Sequence, residues 1–159
     1  MGVRVNPFFI ACLCVLLARP VEARCYEPQE AWAEQLIRIH SELMVITLAC
    51  KYGSHGEPLA AAYGDFTREH KPLLQRAEAR MQAYYREGTC GEIDSLDSLR
   101  TTLANDYGIR VAEVKANRFC QQYRDKVVRM RNLSTAQLDR EVQLASMVNE
   151  TYNPLCSSR

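Results

Sequence analysis

An excess of charge of either sign is nearly absent from this chain. It has 20 Lys and Arg against 19 Asp and Glu, and setting aside Arg4, Arg19 and Glu22 leaves 18 of each. A general nucleic-acid or membrane-surface binder normally declares itself by net charge, so neither describes the protein as a whole. Long apolar runs are missing after residue 23. The richest stretch there, Leu43 to Cys50, has eight residues. A spanning helix needs ~20, so this one reads as a buried helix segment and no transmembrane anchor is expected in the mature chain. Close-spaced cysteine pairs are missing from the mature part, which argues against a zinc site, and Cys-x-x-Cys-His is missing, which excludes ordinary covalent haem attachment. No Glu-x-x-His occurs, so a di-iron bundle lacks its signature. Strand-type alternation, internal repeats and low-complexity segments are absent as well.

What is present begins with an address. Arg4 gives a positive start, Phe8 to Leu17 is an unbroken run of ten apolar residues, and Val21-Glu22-Ala23 is a small-x-small site. That is the layout of a secretory signal peptide over residues 1–23, with cleavage expected after Ala23. A lipoprotein reading fits poorly, because Ala11-Cys12 follows too little hydrophobic chain and Cys25 follows Arg24. The expected mature chain, residues 24–159, is one domain in an oxidising compartment, periplasmic or secreted. Asn132-Leu133-Ser134 and Asn149-Glu150-Thr151 would be glycosylation acceptors in a eukaryotic pathway, but two such matches do not identify the host.

The mature part reads as helices almost throughout. Pro28 suits a first helical position, and Trp32, Leu36, Ile39, Leu43, Ile46 and Cys50 then share one face, widened by Ile37, Met44, Val45 and Leu48. This helix is expected to sit centrally and to stop at Gly53. Pro58 opens a second helix with Leu59, Tyr63, Phe66, His70, Leu73, Ala77, Met81 and Tyr84 inward. Pro72 predicts a kink near residues 68–71, and Gly88 ends the helix. Asp94 can cap a third helix striped by Leu96, Leu99, Leu103 and Tyr107. A stripe of shifted phase follows, Ala112, Ala116, Phe119, Tyr123, Val127 and Met130. One long helix bent near Gly108 is favoured over two, since an interior glycine costs only ~1 kcal/mol. Ser134-Thr135-Ala136-Gln137 is a capping box for a last helix with Leu138, Val142, Ala145 and Val148 inward. The expected fold is all-α, an up-down antiparallel bundle of four main helices, stabilised by disulfides.

Five cysteines remain after the leader. Cys25 and Cys50 flank one helix and lie roughly 35 Å apart at 1.5 Å per residue, too far for a bridge, whose α-carbons sit within about 7 Å. If residues 94–131 form one helix, Cys120 rises to the level of Cys50, which predicts Cys50–Cys120 and, more weakly, Cys25–Cys90. A reversal at Gly108 would leave Cys120 near mid-height instead, and buried free thiols remain the alternative to any bridge.

Glu42-Leu43-Met44-Val45 with Leu48 and Cys50, then Tyr63-x-x-Phe66, Leu103-Ala104-Asn105-Asp106 and Phe119-Cys120, resemble a family of small uncharacterised exported proteobacterial helical proteins. The resemblance covers roughly residues 40–125. That family often carries Tyr-Asn where this chain has Tyr63-Gly64. The resemblance implies a periplasmic or secreted bacterial protein and the Cys50–Cys120 pairing, and it implies no reaction.

No catalytic residue, cofactor or metal ligand is expected. His40 and His70 read as helix residues, His70 in the core. Ser54-His55-Gly56-Glu57 reads as a turn, because catalytic triads are assembled in space and not as sequence neighbours. Glu30 and Glu34 read as surface residues, with Glu34 and Arg38 an i,i+4 pair. The sharpest surface feature is a basic stripe of Lys115, Arg118, Lys126 and Arg129, with Gln122 in phase and Arg124 and Arg131 beside it. It is a binding surface for an anionic partner, or else a solvated face or one paired with Glu27, Glu30 and Glu34 of the first helix. Leu133-Ser134-Thr135-Ala136-Gln137 is similar to a Leu-Thr-x-x-Gln motif of small periplasmic stress chaperones. The reading that results is an exported, non-enzymatic binding protein whose partner is an unknown protein or envelope component. A helical-hairpin stress or metal-responsive chaperone is the alternative. A four-helix cytokine would need two long crossover connections, and residues 53–57 are too short for the first.

Overall fold

Glu27 and Pro28 start the first helix. Proline presets the helical backbone, and the Glu27 amide donates to Glu30 Oε2 at 2.7 Å. The computed structural model describes residues 25–52, 56–88 and 93–156. Within them are six helices: α1 (Pro28–Ala49), α2 (Gly56–Glu69), α3 (Lys71–Arg86), α4 (Leu96–Val114), α5 (Ala116–Arg131) and α6 (Thr135–Val148). The described residues are all-helical, with two disulfides among them, Cys50–Cys120 and Cys25–Cys156. The signal peptide of residues 1–23, the cleavage after Ala23, the Gly53 stop and Cys90 lie outside the described residues.

Helix α1 is the hub and packs against all five others. Leu36, Leu43, Ile46 and Cys50 of its expected stripe are buried, and so is Ile37 from the widening set. The second expected helix is two. Pro72 has no N–H for the carbonyl of Arg68, so the helix breaks at His70, within the predicted interval. Bonds from His70 N to Phe66 O and from Leu74 N to His70 O, both 3.0 Å, span the break. Leu59, Phe66, His70, Leu73, Ala77, Met81 and Tyr84 are buried as the spacing predicts, and Gly88, at φ 91°, follows the end of α3.

The expected continuous helix over residues 94–131 is corrected to two helices. A straight helix would separate positions 107 and 126 by about 28 Å. Instead the Tyr107 side chain lies close to Glu42, and Lys126 Nζ donates to the Glu42 carboxylate at 2.6 Å. The chain therefore passes Glu42 in α4, turns, and returns to it in α5. The turn is at Lys115, with φ 68° and ψ 135°, and Gly108 lies inside α4. Because the reversal falls five residues before Cys120, that cysteine still meets Cys50, arriving from the opposite direction. Phe119, Val127 and Met130 are buried, whereas Ala112 and Ala116 are exposed. The cap of α4 is Ser95, whose side chain accepts the Ser98 amide at 3.1 Å, and not Asp94.

Helices α5 and α6 then run alongside α2 and α3. Arg131 meets Asp65 at 3.4 Å, Thr135 meets His70, and Asp139 meets Arg76 at 3.3 Å. Ser134 and Gln137 form the expected capping box of α6. Leu138 and Val142 are buried, but Val148 is exposed, against expectation. After α6 the tail crosses α1. The Tyr26 amide donates to Pro154 O at 2.8 Å, the Cys156 amide donates to Tyr26 O at 2.9 Å, and Cys156 is bonded to Cys25. The expected Cys25–Cys90 pairing is therefore corrected. The tail's path is set by tertiary contacts that helix periodicity does not carry.

Candidate functional site

Glu30 and Glu34 are buried, not on the surface. Glu30 pairs with Arg80 of α3 at 2.5 Å. Glu34 pairs with Arg38 at 2.5 Å and accepts the Tyr152 amide at 3.2 Å. Gln35 Nε2 donates to the Glu150 carbonyl and its Oε1 accepts from Asn149 Nδ2. The Tyr152 ring lies 4.8 Å from the Arg38 guanidinium and its hydroxyl donates to Asp106 at 2.6 Å. Burial and the Asp106 carboxylate push the Tyr152 phenol up to about 12. These carboxylates are thus consumed in fastening the tail and α3 to α1. Periodicity missed them because α1 is covered on every side, so polar positions that would face water on a surface helix face neighbours here.

The two described histidines, His40 and His70, pack inside the fold, and His70 Nε2 has no hydrogen-bond partner among the described residues. His70 is fully buried, edge-on to Phe66 at 4.8 Å, with Nδ1 3.4 Å from Thr135 Oγ1. Burial lowers its pKa, against the opposing pull of Glu69 and the Leu133 backbone. His40 stacks on Tyr63 and its Nε2 lies 2.8 Å from the Tyr63 hydroxyl. Its pKa is lowered too, by burial, with Glu78 raising it and Arg100 lowering it further. Among the described residues, no group of three or more His, Cys, Asp or Glu could hold a metal ion, and no helix is long and apolar enough to cross a membrane.

The basic stripe is divided. Lys126 is taken by Glu42 and Arg129 by Glu141 at 3.1 Å. Beside it, Arg131 meets Asp65. The partners are not the expected Glu27, Glu30 and Glu34. Lys115 and Arg118 stand at the α4–α5 corner, exposed and without an acidic partner among the described residues.

A cleft of about 470 Å³ lies between the start of α1, α3 and α6, lined by Pro28, Trp32, Arg76, Arg80, Asp139 and Met147, among others. Asp139 fixes the indole by accepting from Trp32 Nε1 at 3.1 Å, and the Arg76 guanidinium lies 4.7 Å over the same ring. Beside the cleft, the last turns of α6 leave Leu144 66%, Met147 77% and Val148 81% exposed. Positions 144, 147 and 148 share one helical face, so these side chains form a contiguous apolar patch. Sequence reasoning missed this surface. Its one available signal was that 144 and 147 fall off the 138–142–145 stripe. Comparison with family models, curated proteins and solved structures gives no match.

Proposed function

We propose that the chain is an exported, non-enzymatic helical binding protein of the cell envelope or secreted space, and that it takes an apolar segment of another polypeptide against the Trp32 cleft and the end of α6. The observation that carries this is the exposed Leu144, Met147 and Val148 beside a fixed indole. Interfaces are enriched in Trp, Met and Arg, and all three types line this cleft. Glu30 and Glu34 are engaged in ion pairs within the fold. We read the six helices as four passes of alternating direction: α1, α2 with α3, α4, and α5 with α6. This is the up-down arrangement that the sequence leads one to expect. Export is supported by the leader-like residues 1–23 and by the two disulfides. The similarity to small exported proteobacterial proteins supports a bacterial envelope as the setting.

A stress chaperone of helical-hairpin type is the second reading. The exposed Met147 favours it, because a flexible thioether adapts to many client surfaces. One experiment separates the two. A photo-crosslinker placed beside Met147, at Gln143, should trap a defined partner in the native envelope, and Leu144→Glu with Met147→Glu should abolish trapping without lowering Tm. Trapping that survives the double variant sinks the cleft as the contact surface. Suppression of the aggregation of a reduced client, with no defined adduct, selects the chaperone.

A further inference from the structure

Three exposed cations without an ion pair among the described residues, Lys51, Lys115 and Arg118, share one end of the fold. The Cys50–Cys120 bond holds the end of α1 against the first turns of α5, with the α-carbons 5.6 Å apart. Lys51 and Tyr52 follow Cys50 directly, so they emerge beside the corner that carries Lys115 and Arg118. Lys51, Lys115 and Arg118 are exposed and enter no ion pair among the described residues. Lys51 Nζ lies 5.7 Å from the Tyr52 ring. Tyr52 is 93% exposed, and Leu48, on the last turn of α1, is 60% exposed. Glu113 lines the same corner and offsets one of the three charges.

Lys115 is held against backbone preference. Its φ of 68° and ψ of 135° belong to a region that glycine enters freely and that a residue with a side chain enters only at a cost. No ion pair or hydrogen bond takes up its amine among the described residues. A strained position that keeps an unused cation at an exposed corner points to something outside the chain.

We propose that this end docks on an anionic phospholipid bilayer. The cations supply attraction to phosphate headgroups. Tyr52 and Leu48 supply what a soluble polyanion would not use: an aromatic with a polar tip and an aliphatic group, both suited to the headgroup boundary. Long basic side chains settle at that boundary with their stems against apolar surface. Because the protein is neutral overall, the attraction is local and sets an orientation. The Trp32 cleft lies about 27 Å along α1 from Cys50 and faces the aqueous side. The proposal does not depend on what the cleft binds.

The test uses the exported, oxidised protein and vesicles of phosphatidylcholine with or without phosphatidylglycerol. Co-sedimentation is expected only with the anionic vesicles and should weaken as salt rises. Each cation removed should weaken it about fivefold, so Lys51→Gln, Lys115→Gln and Arg118→Gln together should cost on the order of a hundredfold. Tyr52→Ala should weaken binding while leaving its salt dependence intact. Lys115→Gly should raise Tm and yet bind more weakly. Leu144→Glu with Met147→Glu should bind vesicles as the parent does, which separates this surface from the cleft. All variants share one N-terminus, so any contribution from the leader cancels. Equal binding to neutral vesicles, no binding to either kind, or an unchanged triple variant would overturn the proposal. So would binding to heparin in place of vesicles with Tyr52→Ala silent, which marks a soluble-polyanion site.

Discussion

Tyr107 and Lys126 meet at a single carboxylate, that of Glu42, the first from a helix on its way to the Cys50 end and the second from a helix coming back. The two halves of the basic stripe consequently differ in kind. Lys126 closes the hairpin of α4 and α5 against α1, whereas Lys115 and Arg118 close nothing.

Lys126→Gln is therefore expected to destabilise the fold by roughly 1 kcal/mol, because it leaves the mostly buried Glu42 with a weaker donor. Lys115→Gln with Arg118→Gln should leave denaturant midpoints nearly unchanged. Equal losses from the two changes would mean that the stripe acts as one unit.

Non-reducing peptide mapping should find Cys50 joined to Cys120 and Cys25 joined to Cys156. Replacing Cys50 and Cys120 by serine opens a loop with a sequence separation of 70 and is expected to cost about 2–4 kcal/mol. Replacing Cys25 and Cys156 should act more locally, with hydrogen exchange rising first at the amides of Tyr26, Tyr152 and Cys156, which hold the tail.

Glu34→Ala strands Arg38 in a largely buried site and removes the acceptor of the Tyr152 amide. A loss of about 3 kcal/mol is expected, since breaking a buried pair is costlier than the pair's net worth. Glu34→Ala with Arg38→Ala should cost clearly less than the sum of the single changes. A double-mutant cycle in urea reads this directly, and additive losses would show that the two residues are not coupled.

Much of this fold is written in periodicity. The stripe from Leu59 to Tyr84 survives the break at His70 because Pro72 interrupts one bond and leaves the phase of the buried face intact. The corner at Lys115 is not legible. Residues 111–119 contain no glycine, proline or turn cluster, and a lysine at φ 68° has no signature in one sequence. The pairing of Cys50 with Cys120 was reachable from a wrong picture of α4 and α5, because a reversal only five residues before Cys120 keeps that cysteine within ~8 Å of the corner, at the end where Cys50 lies. Glu30 and Glu34 looked like surface residues because burial on all sides of α1 depends on how many neighbours surround it. The Trp32 cleft is a product of how α6 crosses α1, and no local pattern states a crossing.

Stability should fall as the medium is acidified through the ordinary imidazole range. His70 and His40 both have pKa values lowered from 6.5 by burial, so the unfolded chain binds protons that the folded chain refuses. Their contribution is complete above about pH 6.5 and is lost as the pH falls toward their folded values. Tm measured from pH 7.5 to 5 should decline, and His70→Leu should flatten the slope. A decline unchanged in that variant would place its origin elsewhere.

Gly108→Ala should stabilise the protein by about 0.4–1 kcal/mol. Gly108 lies inside α4, a β-carbon there meets nothing within 4 Å, and alanine narrows the unfolded ensemble. Gly88→Ala should do the reverse, because the φ of 91° at Gly88 suits only glycine. Thermal melts of the two variants, shifting in opposite directions, would show which glycine the fold requires.

The bond between Cys25 and Cys156 spans a sequence separation of 131, and this fixes the order in which the molecule can be finished. Tyr26 precedes α1, yet its backbone partners, Pro154 and Cys156, follow α6 and are made after all six described helices. Helix α1 thus stays unsealed along Glu34 and Gln35 until residues 149–152 have been made. A chain cut short before Tyr152, by an early stop codon or by a carboxypeptidase, would retain every helix and still expose the polar spine of α1. Such a product would be folded in outline and vulnerable in fact, because residues 149–156 seal α1.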